Sequence, residues 1–338
     1  MAYSTINAKD NHNTQIWDGN DGSNRTMTTT FEPAFTWIKA RDGTYDHHLY
    51  DQARGATYAL ASNSSAAQAV KSNGLKSFTS TGFTLGGDAG VNDASLDYVG
   101  WNWKGGSSVS NTNGSITSTV RANAAAGFSI VTWTGTGANA TIGHGLSSAP
   151  RMIIVKSYAV DVDFICYHEA MGAAENFRLN TTETPDTSST IFNDTDPTST
   201  VFSVGTSSGT NGSGATFIAY CFANVDGYQR IDSYIGNGST DGPVIYTGFK
   251  PIFIMTRRRG ADAMRLIDNK RLGRNPDNSL LFPNVTQIDS NQTWHDILAN
   301  GFKIRTTDTG DNNSGTEYLY YAVGQPISGT NDIPTTAR

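Results

Sequence analysis

A few histidines and carboxylates are the side chains of this sequence best suited to chemistry, and their spacing argues against a catalytic site. His47 and His48 are adjacent, so in a strand they point to opposite faces and cannot hold one metal ion together. Asp161 and Asp163 could serve glycoside hydrolysis, but they lie in a loop before the string FICYH and no equivalent pair occurs elsewhere. Three further histidines stand alone: His144, His168 and His295. We therefore predict no catalytic residue and no metal site, and we expect these histidines to be solvated or locally hydrogen-bonded.

Other signatures of catalysis or binding are incomplete. The chain has no complete Gly-rich phosphate loop and no G-x-S-x-G elbow. The string DGNDG at 18–22 is similar to the start of a calcium loop but lacks the ligand at the fifth position and the closing glutamate, so we expect a plain turn. Cys166 and Cys221 lie in apolar strings, which indicates buried thiols and leaves a disulfide open. The sequence thus predicts no cofactor.

A cluster of basic residues in the last third of the chain is the most informative charged feature. Asp262, Asp268 and Asp277 are interleaved with it, which favours a charge-balanced surface. The functional alternative is an electrostatic docking patch for an acidic neighbour, such as another copy of this chain, and a lipid or polysaccharide phosphate is a third alternative. The cluster consists of Arg257, Arg258, Arg259, Arg265, Lys270, Arg271 and Arg274.

Composition restricts the class of protein that could carry these residues. Ser, Thr and Asn make up 101 of the 338 residues and only 16% are charged, so turn formers are abundant and helix formers scarce. With 37% hydrophobic residues the chain can still bury a core, which excludes disorder and favours an all-β fold. The formal net charge of −6 argues against nucleic-acid binding. No apolar run approaches the roughly 18 residues of a membrane helix. The N-terminal residues do not have the pattern of a signal peptide, and this predicts synthesis in a cytoplasm.

A set of landmarks recurs three times at nearly constant spacing, which indicates internal repeats. Each copy has a proline followed six residues later by a basic residue, an aromatic residue and a glycine upstream, and two aromatic residues and an asparagine downstream. The landmarks are Pro33, Pro150 and Pro251; Lys39, Lys156 and Arg257; Trp17, Trp133 and Tyr234; Gly19, Gly135 and Gly236; Phe83, Phe202 and Phe302; Asn92, Asn211 and Asn312; and Tyr98, Phe217 and Tyr318.

Apolar residues alternate with period two in each copy, which predicts strands with one buried face. We expect the proline at the start of its strand and the asparagine in a hairpin loop. The sequence therefore predicts an all-β protein of three tandem, related small β-sandwiches. The predicted divisions are an N-terminal arm 1–15, repeats 16–105, 127–226 and 227–326, a polar connector 106–126 and a C-terminal tail 327–338. A short strand between Ile116 and Val120 that joins a sheet is an open alternative for part of the connector. The predicted core includes Trp37, Phe83, Trp101, Ile154, Phe202, Tyr220, Phe253, Phe302 and Tyr321.

Several strings along the chain resemble a known family. SFTSTGFTLG, YVGWNWKGG, APRMIIVK, NGSGATFIAYCFANVDG and DGPVIYTGFKP are similar to repeat-bearing, tail-fibre-like virion proteins of marine tailed bacteriophages, and the resemblance extends over nearly the whole chain. It implies a non-enzymatic virion component, assembled in the host cytoplasm and exposed on the extracellular particle. A tail fibre or spike for host attachment is the expected role, with other virion proteins as partners and a homo-oligomer, trimeric in a fibre, as the assembly.

Two alternatives stay open at this point. The first is a capsid-decorating or head-fibre protein. The second is a carbohydrate-binding module, lectin-like or depolymerase-like, that contacts a host-surface polysaccharide or receptor. A depolymerase requires two carboxylates held at a fixed separation in a groove, and a lectin requires exposed aromatic residues, whereas most aromatic residues here fall on the buried phase of the alternation.

Overall fold

A computed structural model describes residues 6–272, 275–276 and 278–326. In this part of the chain the backbone forms 28 strands and four α-helices of one turn, so the prediction of an all-β class is confirmed. The strands fall into three successive units. Each unit has one large and one small antiparallel sheet, and the third unit has a further two-stranded sheet.

The first unit contains β1 to β9 and follows a 3-10 turn at Ala8–Asp10. Its elements are β1 (His12–Asp18), β2 (Arg25–Thr28), β3 (Phe35–Ala40), β4 (His48–Asp51), β5 (Gly55–Ala61), β6 (Ala69–Val70), β7 (Leu75–Thr79), β8 (Gly82–Leu85), α1 (Ala89–Asn92) and β9 (Asp97–Trp103). The large sheet has the order β1-β9-β3-β4-β5-β6, and the small sheet has the order β2-β8-β7.

The second unit contains β10 to β19 and includes a 3-10 turn at Ala124–Ala126. Its elements are β10 (Val109–Asn111), β11 (Ser118–Asn123), β12 (Phe128–Thr134), β13 (Ala140–Gly143), β14 (Met152–Ser157), β15 (Ile165–His168), β16 (Glu175–Arg178), β17 (Asp186–Thr187), α2 (Ser189–Phe192), β18 (Val201–Val204), α3 (Ser208–Asn211) and β19 (Thr216–Phe222). The large sheet is β10-β11-β12-β19-β14-β15-β16-β17 and the small one β13-β18.

The third unit contains β20 to β28. Its elements are β20 (Gln229–Ile235), β21 (Val244–Tyr246), β22 (Phe249–Arg258), β23 (Arg265–Asp268), β24 (Asn278–Leu280), β25 (Ser290–Gln292), β26 (His295–Leu298), β27 (Gly301–Ile304), α4 (Thr309–Asn312) and β28 (Glu317–Pro326). Its larger sheet is β20-β28-β22-β23, its smaller sheet β21-β27-β26, and β24 pairs with β25.

The same order of strands recurs in the three large sheets. In each unit one strand (β1, β12 or β20) pairs with the last strand of the unit, the last pairs with the strand near the landmark proline, and that strand pairs with the next one along the chain. The second unit adds two strands at its edge. Pro33 and Pro150 precede their strands, as expected. Pro251 instead lies inside β22, where the register shifts between Pro251 and Phe253. Such an irregularity accommodates a residue that has no N–H group for the ladder.

Both faces of each large sheet are buried, which corrects the expectation of one buried face. The outer face of each large sheet packs on the small sheet of its own unit and forms a separate apolar cluster. The inner faces of all three large sheets meet in one shared core. That shared core includes Phe35, Trp37, Trp101 and Trp103 of the first unit, Ile154, Tyr220 and Phe222 of the second, and Phe253, Met255 and Tyr321 of the third. All nine residues predicted for the core are buried. Three sandwiches therefore share a fourth apolar core between them.

The segment 106–126 is part of the second unit, so it is not a free connector. Strand β11 pairs with β12 and β10 pairs with β11, which extends the large sheet at its edge. Ser118 and Val120 face inward and are buried, and the Ser118 hydroxyl donates to the carbonyl oxygen of Gly143 at 2.7 Å. The composition of this segment indicated a linker. Its small and apolar side chains nevertheless alternate, and that pattern is sufficient for it to form a strand.

Several landmark residues make the same contacts in every unit. An aromatic residue of β1, β12 or β20 stacks on one of the last strand of the same unit, with ring centroids 5.1–5.6 Å apart and interplanar angles of 15–17°. The stacked pairs are Trp17–Tyr98, Trp133–Phe217 and Tyr234–Tyr318.

Three glycines approach the backbone after a one-turn helix so closely that a Cβ atom would lie within 2.5 Å of a carbonyl oxygen. They are Gly19, Gly135 and Gly236. These positions therefore require glycine for close packing.

The landmark asparagines end a one-turn helix that carries the chain from the small sheet to the large one. This corrects the expected hairpin loop, because the flanking strands belong to different sheets. Asn211 donates to the carbonyl oxygens of Ala138 (2.6 Å) and Gly205 (3.0 Å) and accepts from the N–H group of Thr136 (3.0 Å). Asn92 and Asn312 bind the equivalent loops in the same way. A string of the form D/S-x-G-x-N (DAGVN, SSGTN and DTGDN) marks all three places.

The substitution Asn211→Ala should destabilise the protein by at least about 2 kcal/mol, because two carbonyl groups, one of them buried, and one N–H group lose their partner. Urea unfolding of the full chain measures this change. Asn139→Ala is the matched control, since Asn139 is exposed and its side chain makes a solvent-exposed hydrogen bond to Asn193, and it should cost less than about 0.5 kcal/mol. Equal losses in the two variants would show that the buried amide does not hold these loops.

Candidate functional site

Half of the described residues of the third unit's basic cluster lie inside the protein. Arg257, Arg265 and Arg271 are only 2%, 5% and 1% exposed. Arg257 lies on β22, Arg265 begins β23, and Arg271 follows β23. Both faces of these strands are covered, so the long side chains end at the junctions between units or in the core of the third unit. The whole cluster therefore does not form an exposed docking patch, which corrects that alternative. Arg274 lies outside the described residues.

Arg271 ties the third unit to the first. Its guanidinium group pairs with Asp268 at 2.7 Å and Asp289 at 2.5 Å and lies 5.6 Å from the ring centroid of Trp101. Trp101 of the first unit donates from Nε1 to Asp268 at 3.1 Å, and Arg41 reaches Asp289 at 2.9 Å. Burial alone would raise the pKa of Asp268, but the Arg271 guanidinium group beside it holds that pKa below its usual range. The pair is thus fully charged and links two units.

The junction between the first and second units repeats this arrangement. Arg54 pairs with Asp51 at 2.7 Å, and the hydroxyl group of Tyr220 in the second unit donates to Asp51 at 2.8 Å. Both junctions use a D-x-x-R string (DQAR and DNKR) and an aromatic residue from the last strand of a neighbour. The second unit has HEAM at this place, and Nε2 of His168 lies 3.5 Å from the carbonyl oxygen of Tyr320. Sequence reasoning missed this motif, although its nearly constant distance from the proline could have revealed it.

Arg259 joins the third unit to the second. It pairs with Glu175 of the second unit at 2.7 Å and with Glu317 of its own unit at 2.6 Å. Arg258 is half-buried and Lys270 is exposed. The acidic neighbour of this part of the cluster therefore lies within the same chain.

A second charged cluster fills part of the third unit's own core. Arg265 pairs with Asp311 at 3.2 Å and with Asp308 at 3.0 Å. His295 lies 3.6 Å from Asp311, and the Thr256 hydroxyl donates to the same carboxylate at 3.2 Å. Burial would raise the pKa of Asp311, but His295 and Arg265 hold it below its usual range. Because Asp311 and Arg265 are both buried and lie 3.2 Å apart, the cluster contains a structural ion pair.

Three cations occupy equivalent positions on the strands near the landmark prolines. Lys39 and Lys156 each donate to two backbone carbonyl oxygens, and for Lys156 one of these belongs to Ser65 of the first unit. Arg257 donates from Nη2 to the carbonyl oxygen of Glu183 in the second unit. Burial lowers the pKa of both lysines to about 8 and that of Arg257 to about 10. Two of the three cations therefore bind the backbone of a neighbouring unit.

All six histidines are buried, which corrects the expectation that some would be solvated. The indole N–H group of Trp37 donates to Nδ1 of His47 at 3.1 Å, and the backbone N–H group of Leu146 donates to Nδ1 of His144 at 3.1 Å. Burial lowers the pKa of His48, His144 and His168 to about 4 and that of His12 to about 3, and it lowers the pKa of His47 well below its ordinary value. These five imidazoles are therefore neutral in the folded protein at pH 7.

An open groove of about 430 Å³ lies between the first and second units. The side-chain amide of Gln52 lies in the wall of the groove. It donates to the Glu32 carboxylate and accepts from Arg121 of β11, both at 2.7 Å. The ring of Phe78 is partly exposed in the same wall, beside Gly55. The groove therefore offers a carboxylate, an amide, a guanidinium group and an aromatic ring to a ligand.

The other residues that the sequence suggested for chemistry do not form a site. Cys166 and Cys221 are buried free thiols on opposite faces of one sheet, so the open disulfide alternative is excluded. Burial raises the pKa of both thiols.

Among the described residues no group of three or more His, Cys, Asp or Glu side chains is arranged to hold a metal ion. Asp161 accepts from the backbone of Ala67 and Asp163 from Asn180, so the two carboxylates serve different loops. No helix in the described ranges is both long and apolar enough to cross a membrane.

The free energy of unfolding should fall as the pH drops from 7 towards 4. The four histidines with folded-state pKa values of about 3 to 4 stay neutral, whereas the unfolded chain binds a proton at each below pH 6.5. Each of them therefore contributes a loss of up to about 1.4 kcal/mol per pH unit. Urea unfolding at pH 7, 6 and 5 measures the slope, and His144→Gln should reduce it by one histidine's share. A free energy that is constant between pH 7 and 5 would contradict the neutral, buried state of these imidazoles.

Comparison with known proteins identifies a family for the chain. A family described as a domain of unknown function, DUF7483, matches residues 7–326. No curated protein and no solved structure matches the chain significantly. The family match spans all three units and their shared core. The chain therefore belongs to the DUF7483 family, whose description names no activity.

Proposed function

We propose that this chain is a structural protein of a bacteriophage virion, without enzymatic activity, that acts as a tail-fibre or spike-like component in host attachment. The observation that supports this role is the combination of one rigid scaffold with three divergent loops. In each unit the loop after the landmark proline strand begins at the same place in the sheet order, but its sequence has diverged: RDGTYDHH, SYAVDVDF and RRGADAM.

The scaffold is rigid because the strands that carry these loops are buried on both faces. Tyr45 and Val160 at the loops of the first two units are nevertheless 39% and 43% exposed. Binding residues lie preferentially on loops held by such a scaffold. Divergent loops on equivalent strands favour three different contacts over one active site present three times.

The resemblance to phage proteins supplies the context of the proposal. Such a component is assembled in the host cytoplasm and is exposed on the extracellular particle. Its partners are other virion proteins and further copies of the chain, three copies in the case of a fibre, and its target is a host-surface polysaccharide or receptor. A capsid-decorating or head-fibre protein uses the same scaffold at a different place in the particle.

Imaging and mass spectrometry of purified particles test the proposal. We expect the chain in mature particles, with antibody labelling at the tail, and we expect the purified protein to bind host cells without releasing reducing sugar. Labelling on the capsid shell would support the head-fibre alternative. Absence of the chain from particles, or hydrolysis of a host polysaccharide, would contradict the proposal.

The groove between the first two units favours one second candidate, a carbohydrate-binding module. Planar polar groups beside an aromatic ring suit the hydroxyl groups and the apolar face of a sugar. Arg121→Met should weaken binding to host polysaccharide at least tenfold, whereas Arg230→Met, at a surface arginine paired with Asp232, should leave it unchanged. Equal binding by the two variants would exclude this groove as the contact.

A further inference from the structure

Strand β21 lies at the open edge of the third unit's small sheet, whose order is β21-β27-β26. Val244 and Tyr246 point to solvent and are 59% and 57% exposed, whereas Ile245 between them is buried. An edge strand offers unpaired backbone groups to another strand, and exposed apolar side chains on such an edge favour that pairing. This edge is therefore a candidate contact surface.

The backbone groups of Val244 and Tyr246 face away from the rest of the sheet. The flanking residues Pro243 and Thr247 bond to the chain around β27, the carbonyl oxygen of Pro243 accepting at 3.1 Å and the N–H group of Thr247 donating at 3.0 Å. Since alternate residues of an antiparallel strand direct these groups to opposite sides, those of Val244 and Tyr246 point to the open edge. Among the described residues no other strand or side chain binds them there. Each copy of the chain thus presents two N–H and two C=O groups at this edge.

The second unit covers the same edge with its own chain. Its equivalent strand is β13, because the landmark phenylalanine of each small sheet pairs with the buried apolar residue of this strand. The carbonyl oxygen of Thr141 accepts from the N–H group of Ile116 at 3.1 Å, and that of Gly143 accepts from the Ser118 hydroxyl at 2.7 Å. Both donors belong to the segment 106–126. Residues 223–228 join β19 directly to β20, so the third unit has no segment of this kind.

The first unit has a polar edge at this place, on β2. Thr26 and Thr28 are exposed where the third unit has Val244 and Tyr246, and the side-chain amide of Gln15 donates to the carbonyl oxygen of Thr28. Among the described residues, the third unit alone therefore combines an open backbone with apolar side chains at this edge.

We propose that β21 pairs with β21 of a second copy of this chain, antiparallel and about a two-fold axis through the pair of Ile245 residues. In this register Val244 of each copy lies opposite Tyr246 of the other. Opposite residues whose backbone groups point towards each other exchange two hydrogen bonds, so the two pairs satisfy all the open groups of both copies. Each pair also places a β-branched side chain beside an aromatic ring, which is a favourable cross-strand contact.

Charge and area are consistent with such a pair and indicate its strength. The segment 242–249 (GPVIYTGF) has no charged side chain, so two copies bring no like charges together along the edge. Pairing of three-residue strands buries less than the roughly 1,200 Å² of a standard interface, so we expect a dissociation constant on the order of 100 µM. The contact gives the surface through which copies of the chain meet, and it does not depend on the virion role.

Two double variants test the register, because only the sign of one charge differs between them. Val244→Lys with Tyr246→Lys places like charges opposite each other in both pairs and should weaken association at least tenfold. Val244→Lys with Tyr246→Glu places opposite charges there and should retain association. Both variants change side chains that are more than half exposed, so they should unfold at equal urea concentrations.

Sedimentation equilibrium of the full chain, at concentrations on both sides of the expected dissociation constant, measures the association. We expect a monomer–dimer equilibrium for the wild type and for the variant with opposite charges, and a monomer for the variant with like charges. A wild type that stays monomeric at every concentration would overturn the proposal. Equal dissociation constants for the two double variants would also overturn it, because the copies would then meet through another surface.

Discussion

Three sheets turn one apolar face towards a common interior, and each can bury that face only against the other two. Trp101, Tyr220 and Tyr321 occupy equivalent places on the last strands and meet in this interior. The opposite faces are already covered by the small sheets of each unit. Because an exposed apolar sheet face of this size is unfavourable in water, the three units depend on one another. The shared core thus makes one cooperative body from three sandwiches.

The polar groups of the junctions follow from that constraint. A charged side chain that projects into a shared apolar core must find its partner there, because water cannot reach it. Asp268 with Arg271 and Asp51 with Arg54 solve this requirement with ion pairs, each completed by an aromatic donor from the neighbouring unit. Such pairs add little net stability over apolar residues, but breaking one is costly. We infer that they fix which unit lies beside which.

Sequence reasoning identified which residues are buried more reliably than it identified which elements cover them. The period-two alternation correctly marked Trp37, Ile154 and Phe253 as core residues. The neighbouring apolar residues Ile38 and Ile153 were a signal that the second face is buried too, but alternation alone does not tell a small sheet from solvent. The location of the basic cluster could not be predicted from charge counts, because linear order does not show whether a guanidinium group faces water or a neighbouring unit. The D-x-x-R strings carried that information, because each places an arginine beside a carboxylate that accepts from an aromatic residue of a neighbouring unit.

Differential scanning calorimetry of the full chain tests the central claim, that the three units form one cooperative body through the shared core. The account predicts a single transition with equal calorimetric and van't Hoff enthalpies. It further predicts that Trp101→Ala, which removes about 3–5 kcal/mol of core packing in the first unit, shifts the whole transition to lower temperature. Two or three separate transitions, with Trp101→Ala lowering only one of them, would contradict it.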